Sequence, residues 1–262
     1  MTTRVLITND DGIAAPGIRT LARAAVEQGL DVVVAAPNTD ASGTSAAMTA
    51  VERDGRVLVE EHDIGELPGV PSYGVSGSPG FIALIAIHGA FGPPPALVLS
   101  GINRGANVGR AVLHSGTAGA AFTAAANGCR AMAVSLDVLS IDEATTGSGG
   151  AAVESASIAD EARHWETAAR VAMDLLPRLA EAPEECILNV NTPDIPYERL
   201  RGVQRASLAS FGQVQMTVAE VGRGFIRTAL EESGKEVEPG TDVAWLAEGY
   251  ASVTTIRAIT EL

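Results

Sequence analysis

Lysine is almost absent from this chain: Lys235 is the only one, and the formal net charge is −14. A nucleic-acid backbone is held by Lys and Arg that displace its counterions, so nucleic acid is excluded as an expected partner. An anionic small molecule would need a metal or backbone N–H groups to supply the attraction. Cysteine is nearly as scarce. Cys129 and Cys186 stand far apart and make no CxxC pair, so both read as buried, inert thiols of a reduced compartment. Long apolar runs are missing, the stretch from Phe81 to Ala86 being far too short to span a bilayer. The opening MTTRVLITNDD has no basic region followed by an apolar core, so no secretion signal is expected and the reading is cytoplasmic. Aromatic residues are only 4%, which leaves the core to small and branched aliphatic side chains. With 46% hydrophobic and 19% charged residues, the chain has material for a packed core and does not read as disordered.

What is present is an alternation. The strand-like RVLIT (4–8) precedes a helix from about Pro16, proline being favoured in a first helical turn. DVVVAA (31–36) is a second strand, followed by the small-residue loop NTDASGTS. ALVLS (96–100) is another, with GINRGANVG read as the loop beyond it. SGTAGAAFTAAANG (115–128) reads as an N-capped, Ala-rich helix ending at Gly128, and RAMAVSL (130–136) as a buried strand. The segment 141–157, rich in Gly, Ser and Thr, reads as a surface loop with a conceivable lid role. One helix is expected over about 158–182 and a strand over 185–191. Apolar strands alternating with helices predict a mostly parallel sheet covered on both faces. Past Pro196 the pattern changes to β-type alternation. We therefore divide the chain into an α/β core, 1–195, and a β-hairpin-rich extension, 196–262.

In a doubly wound sheet the loops at the carboxyl ends of the strands gather on one rim, where ligands bind. That rule brings Asp10, Asp11, Ser42, Asn103 and Ser115 to one edge. Two adjacent carboxylates repel each other unless a cation or water intervenes. Two carboxylates, a hydroxyl and an amide oxygen form an all-oxygen set suited to Mg²⁺, Mn²⁺ or Ca²⁺ and poor for zinc. Ser115-Gly116-Thr117 at a helix start offers N–H groups and hydroxyls to a phosphate. Metal plus phosphate cradle is the equipment of metal-assisted phosphoester hydrolysis. Plainer readings stand beside these: Asp-Asp-Gly as an Asx-capped turn, Ser115 and Thr117 as helix caps, Asn103 and Asn107 as left-handed turn residues. Of the four histidines, only His114 falls near this edge, as a substrate contact or general acid. His88 reads as structural and His164 as solvated.

Other phosphate chemistries lack their residues. A receiver domain needs an acceptor Asp and a lysine at later strand ends, and a haloacid-dehalogenase phosphatase needs two aspartates separated by one residue. No GxxxxGK or strand-one GxGxxG occurs, against P-loop hydrolases and Rossmann dehydrogenases.

Taken together, TNDDG, the loop with SGxS, SGIN followed by GxNxG, SGT opening a helix, NVN-x-P, and GTD…EGY-x-S-V-T resemble the SurE (survival protein E) family over nearly the whole chain. That resemblance implies a Rossmann-like three-layer core with a β-rich C-terminal extension exchanged between subunits in a homodimer or homotetramer. It implies a phosphomonoesterase acting on nucleoside monophosphates, with one Mg²⁺ or Mn²⁺ per subunit. The family's metal ligands map to Asp10, Asp11, Ser42 and Asn103, the two aspartates also serving catalysis. Asn9, Gly43, Asn107, Ser115, Gly116 and Thr117 match positions lining its phosphate and substrate pocket.

The chain departs from the family around that shell. Asn38-Thr39-Asp40-Ala41 precedes the Ser-Gly, Ala46-Ala47-Met48 follows it, and Gly77-Ser78-Pro79-Gly80-Phe81-Ile82 lacks the usual Asp. Phe122-Thr123-Ala124 stands where an acidic residue is frequent. These changes point to alternatives: a phosphatase for another, less polar phosphorylated metabolite, or a non-catalytic metabolite-binding protein on the same scaffold.

Overall fold

The computed structural model describes residues 2–65, 67–138, 160–183, 185–210, 214–223, 225–232, 237–257 and 259–260. Its first half runs β1 (Arg4–Thr8), α1 (Pro16–Glu27), β2 (Asp31–Pro37), β3 (Glu52–Arg53), β4 (Arg56–Val57), β5 (Val59–Glu61), β6 (Ser72–Val75) and α2 (Pro79–Ile87). β7 (Leu97–Arg104), α3 (Gly116–Ala126), β8 (Arg130–Asp137), α4 (Trp165–Asp174), α5 (Leu176–Glu181) and β9 (Cys186–Pro193) follow. The remainder is β10 (Val203–Arg205), β11 (Val214–Gly222), β12 (Phe225–Glu232), α6 (Asp242–Ala247) and β13 (Ala251–Arg257). The expected loop over 141–157 lies outside the described residues.

The strands form a nine-stranded sheet in the order β10-β13-β9-β8-β7-β1-β2-β6-β5. From β6 through β2, β1, β7 and β8 to β9 every neighbouring pair is parallel, while β5 and β13 join antiparallel. Successive strand residues face opposite sides, and the burial follows this. Val5 and Ile7 enter one core with Val32, Val34, Met132 and Val134, while Leu6 enters the other with Val33, Ala131 and Ala133. The first core is closed by Ile18 and Leu21 of α1 and Ala168, Ala169 and Ala172 of α4. The second is closed by Ile82 and Ala83 of α2 and by Ala120, Ala121 and Ala124 of α3. Each buried Ile or Leu contributes ~1.5–3 kcal/mol, and the alanines let α3 lie close on β8. The result is the expected three-layer α/β core.

Three expectations change. The helix over 158–182 is divided into a 3-10 turn (Asp160–Ala162), α4 and α5, because Pro177 has no N–H to continue the ladder past Leu175. β7 runs on to Arg104, so Gly101 to Arg104 belong to the strand rather than to a loop beyond it. The register against β8 shifts between Ser100 and Asn103, a kink in the ladder that re-aims the strand's last side chains. After residue 195 the chain gives β10 and β13 to the main sheet, and among the described residues β11 and β12 form a separate two-stranded sheet. Among the described residues no helix is long and apolar enough to cross a membrane.

Candidate active site

The sheet order reverses between β1 and β7: the chain leaves β1 toward β2 on one side and later continues from β7 toward β8 on the other. Ligand sites of open parallel sheets lie outside the carboxyl ends of the strands at such a point. Asp10 and Asp11 lie in the turn just beyond β1, and Asn103 is the last residue but one of β7.

The turn after β1 is built by its own residues. Asn9, fully buried, donates from Nδ2 to Gly12 O at 3.0 Å and accepts Gly12 N–H at 3.1 Å. Gly12 has φ +100°, a left-handed conformation that suits glycine. Asn9 is thus committed to shaping the turn. Ala41 N–H donates to Asp10 O at 2.8 Å, pinning the Ser42 loop to the same turn.

Asp10 is almost fully buried. Its Oδ1 accepts from the Thr117 hydroxyl, and the same Thr117 Oγ1 lies 3.2 Å from Asn103 Oδ1. Asn103 Nδ2 donates to Gly105 O at 2.7 Å, which aims its Oδ1 at that cluster. Asp11 Oδ2 accepts Arg104 N–H at 3.2 Å. Helix α3 begins against Asp10: a Cβ on Gly116 would lie 2.7 Å from Asp10 Oδ2. Glycine is required there for the helix start, with its partial positive charge, to approach the carboxylate.

Burial raises the Asp10 pKa, opposed by the Thr117 hydroxyl and by the backbone N–H groups of Asp10 and Thr117, with the Asp40 carboxylate raising it further. Burial and then the Asp10 charge push Asp11 up to about 8, Arg104 N–H opposing and Asp40 and Asp160 adding to the repulsion. Among the described residues neither carboxylate forms an ion pair with an Arg, Lys or His side chain. One hydroxyl proton therefore serves a carboxylate and an amide oxygen, with the second carboxylate, Asp11, beside the first. A hard divalent cation fits this set, since it supplies the positive charge that the side chains do not. Among the described residues no three His, Cys, Asp or Glu side chains converge anywhere. Neutral oxygens would complete the shell here.

The structure brings together Asp10, Asp11, Asn103, Gly116 and Thr117. Ser42 and Gly43 are exposed on the adjoining loop, Ser42 N–H bonding Asp40 Oδ1 at 2.7 Å in an Asx turn. Among the described residues the Ser42 hydroxyl makes no hydrogen bond to the cluster. Ser115 caps α3 through Ala118 N–H at 3.0 Å, the cap role expected of it, and directly precedes Gly116. Asn107 turns elsewhere: its Nδ2 donates to Ser135 Oγ at 2.9 Å and its backbone is held by Asn191 and Asn189. His114 is exposed at the end of a 3-10 turn, Gly109–His114. His88, read as structural, is exposed at the end of α2. His164, read as solvated, has Nδ1 2.8 Å from Asp194 Oδ1.

Arg104 was not anticipated. Its N–H holds Asp11 while its guanidinium pairs with Asp160 at 3.0 Å, and Asp160 in turn meets the buried Arg163. No local pattern marks such a residue; its place directly after Asn103 was the available signal.

Fold and site define a doubly wound α/β protein with a buried acidic, oxygen-lined centre at the switch point of its sheet. A more particular assignment comes from comparison. The family model described as Survival protein SurE matches residues 5–215, and the chain belongs to that family. It is 34% identical over 261 residues to the 5'-nucleotidase SurE of Nitratidesulfovibrio vulgaris (strain DP4), covering 97% of this chain and 93% of that one. It is 32% identical over 259 residues to the 5'/3'-nucleotidase SurE of Shigella dysenteriae serotype 1, covering 97% and 90%. The crystal structure of the SurE protein from Aquifex aeolicus superposes with a TM-score of 0.72 at 28% identity, over 98% of this chain and 94% of that one.

Proposed function

We propose that this protein is a divalent-metal-dependent phosphomonoesterase that hydrolyses nucleoside monophosphates. Its similarity to named 5'- and 5'/3'-nucleotidases over almost the whole chain supports the substrate class. The observation that carries the chemistry is the Asp10 and Asn103 oxygens sharing one Thr117 proton beside the Asp11 carboxylate, with no ion-paired side-chain cation among the described residues. Mg²⁺ or Mn²⁺ would be held by Asp10, Asp11 and Asn103, with Ser42 added from the neighbouring loop. When bound, it draws charge from a phosphoryl oxygen and lowers the cost of the charge that develops there.

The chain's own groups do the rest. Thr117 fixes the rotamer of Asp10 and leaves Asp10 Oδ2 facing the α3 start. Asp11 has Oδ2 held by Arg104 N–H, and its Oδ1 is the oxygen that orients the attacking water. The first turn of α3 presents its positive end to the phosphate. Asn107, turned onto Ser135, contributes through the position of its loop.

Two exposed apolar side chains on segments next to the start of α3 support a second reading of the leaving group. Met48 is 48% and Leu113 67% exposed, on two segments tied by Ser45 Oγ donating to Leu113 O at 2.7 Å. They would suit a phosphomonoester whose organic part is less polar than a nucleoside. We also propose a homo-oligomer assembled through the β11–β12 hairpin, where Val221, Phe225 and Ile226 are exposed.

The test is phosphate release from a panel of nucleoside monophosphates and other phosphomonoesters, with EDTA, Mg²⁺ or Mn²⁺, for wild type and Asp11→Asn. Metal-dependent release that disappears in the variant is expected, and the ranking of the panel decides between the two leaving groups. Metal binding without release from any compound would replace the enzyme by a metabolite-binding protein.

A further inference from the structure

The segment that leaves β7 at Arg104 and returns to the site at Gly116 carries a site residue at each end, Asn103 and Thr117. Between them it crosses the carboxyl ends of β8 and β9, where four buried side chains grip its backbone or its Asn107 side chain. Asn107 N–H donates to Asn191 Oδ1 at 2.7 Å, and Asn191 Nδ2 donates back to Asn107 O at 3.1 Å. Asn189 Nδ2 donates to the same carbonyl at 2.8 Å. Ser135 Oγ accepts the Asn107 side-chain amide at 2.9 Å. Two residues on, Gly109 N–H donates to Asp242 Oδ2 at 2.7 Å. Asp242 Oδ1 accepts Ala209 N–H and Val243 N–H, each at 3.0 Å. Asn189, Asn191, Ser135 and Asp242 are all fully buried. Ala106 and Val108 of the segment pack with Ala209, Val243 and Leu246 in a small core of their own.

We propose that Asn191 and Asp242 are positioning residues for the metal centre. They lock the backbone of the 104–116 segment, and so set the spacing of Asn103 Oδ1 and Thr117 Oγ1 around Asp10, without reaching the acidic cluster themselves. The proposal rests on the metal reading above. Asn191 is suited to the task because one amide satisfies both the N–H and the C=O of the Asn107 peptide. Asp242 is suited because a carboxylate accepts from several N–H groups at once, here drawn from the segment, from residue 209 and from α6. Both bonds span long distances in sequence, 84 and 133 residues, so they tie the site to the end of the sheet and to the C-terminal region. Residues that orient metal ligands from behind typically cost about tenfold or more in metal affinity when removed.

The experiment measures Mn²⁺ affinity by titration calorimetry, with Tm recorded alongside, for wild type, Asn191→Ala, Asp242→Asn and a control. The control is Ile187→Ala, a core truncation on the same strand β9 that touches none of these bonds. Asn191→Ala and Asp242→Asn should weaken Mn²⁺ binding about tenfold. Ile187→Ala should leave it near wild type at an equal or larger loss of Tm. Wild-type affinity in Asn191→Ala, or an equal loss in Ile187→Ala, would reduce the clamp to ordinary structural support and overturn the proposal. If Asn191→Ala does not fold, Asp242→Asn decides by the same comparison. A wild type that binds no Mn²⁺ would refute the metal reading instead. Hydrogen exchange then judges the clamp: faster exchange over 103–117 in Asp242→Asn than in Ile187→Ala sustains the locking of the segment, and equal exchange ends it.

Discussion

Replacing Asp11 with asparagine should make the metal-free protein more stable at neutral and alkaline pH. In the folded chain burial and the Asp10 charge push Asp11 up to about 8, against an ordinary value of 3.8. A folded pKa above the unfolded one means that stability is fully present below about pH 4 and is lost as pH rises to about 8. The difference between about 8 and 3.8 is about four units, or an upper bound of ~6 kcal/mol at ~1.4 kcal/mol per unit. Water entry and relaxation in this part-buried site reduce that to ~2 kcal/mol. Asparagine keeps an oxygen for Arg104 N–H while removing the charge, and it relieves Asp10 at the same time. Thermal unfolding in EDTA should show no difference near pH 4 and a Tm higher in the variant by about 5 °C near pH 8. Saturating Mn²⁺ should erase the advantage, because wild type gains binding energy that the variant lacks. A variant less stable than wild type near pH 8 in EDTA, or offset by the same amount at every pH, would refute the reasoning.

Gly116→Ala should lower turnover by about ten- to a hundredfold, because its Cβ would sit 2.7 Å from Asp10 Oδ2 and displace that carboxylate. Circular dichroism should remain that of wild type, and unchanged kinetics would mean that Asp10 tolerates the shift. Changing Val221, Phe225 and Ile226 together to serine should convert the oligomer to monomer in light scattering, since all three are more than half exposed on the hairpin. An unchanged mass would move the subunit contact elsewhere.

The acidic turn was legible because an apolar run of period two stops at residues that favour turns, and a helix start follows later in a sequence that needs a cap. Gly116 and Thr117 were legible for the same local reason. Asn103 was placed at the right edge but in the wrong element: β7 continues through a register shift, which composition does not mark. The break at Leu175 had a visible cause in Pro177, overlooked because apolar periodicity runs across it. Strand order was beyond reach for β13, whose alternating pattern is the same in a hairpin arm as in a sheet. The clamps were beyond reach for a different reason. Asn191 and Asp242 stood out as letters in NVN and GTD, yet the peptides they hold lie 84 and 133 residues away. No periodicity encodes which distant N–H a side chain will find.

The insertion of β13 between β9 and β10 also orders events in time. Synthesis proceeds from the N-terminus, so the acidic turn and both ends of the gripping segment emerge well before Asp242 does. A nascent chain could pair β1 with β2 and β7 before the contacts from α6 to the 104–116 segment exist. The Gly109–Asp242 bond and the packing of Ala106 and Val108 on Val243 and Leu246 form only once α6 has been made. On the proposals above, tight cation binding would be reserved for a chain made through to its closing strand, since an interrupted product would carry the acidic pair without the Asp242 contact.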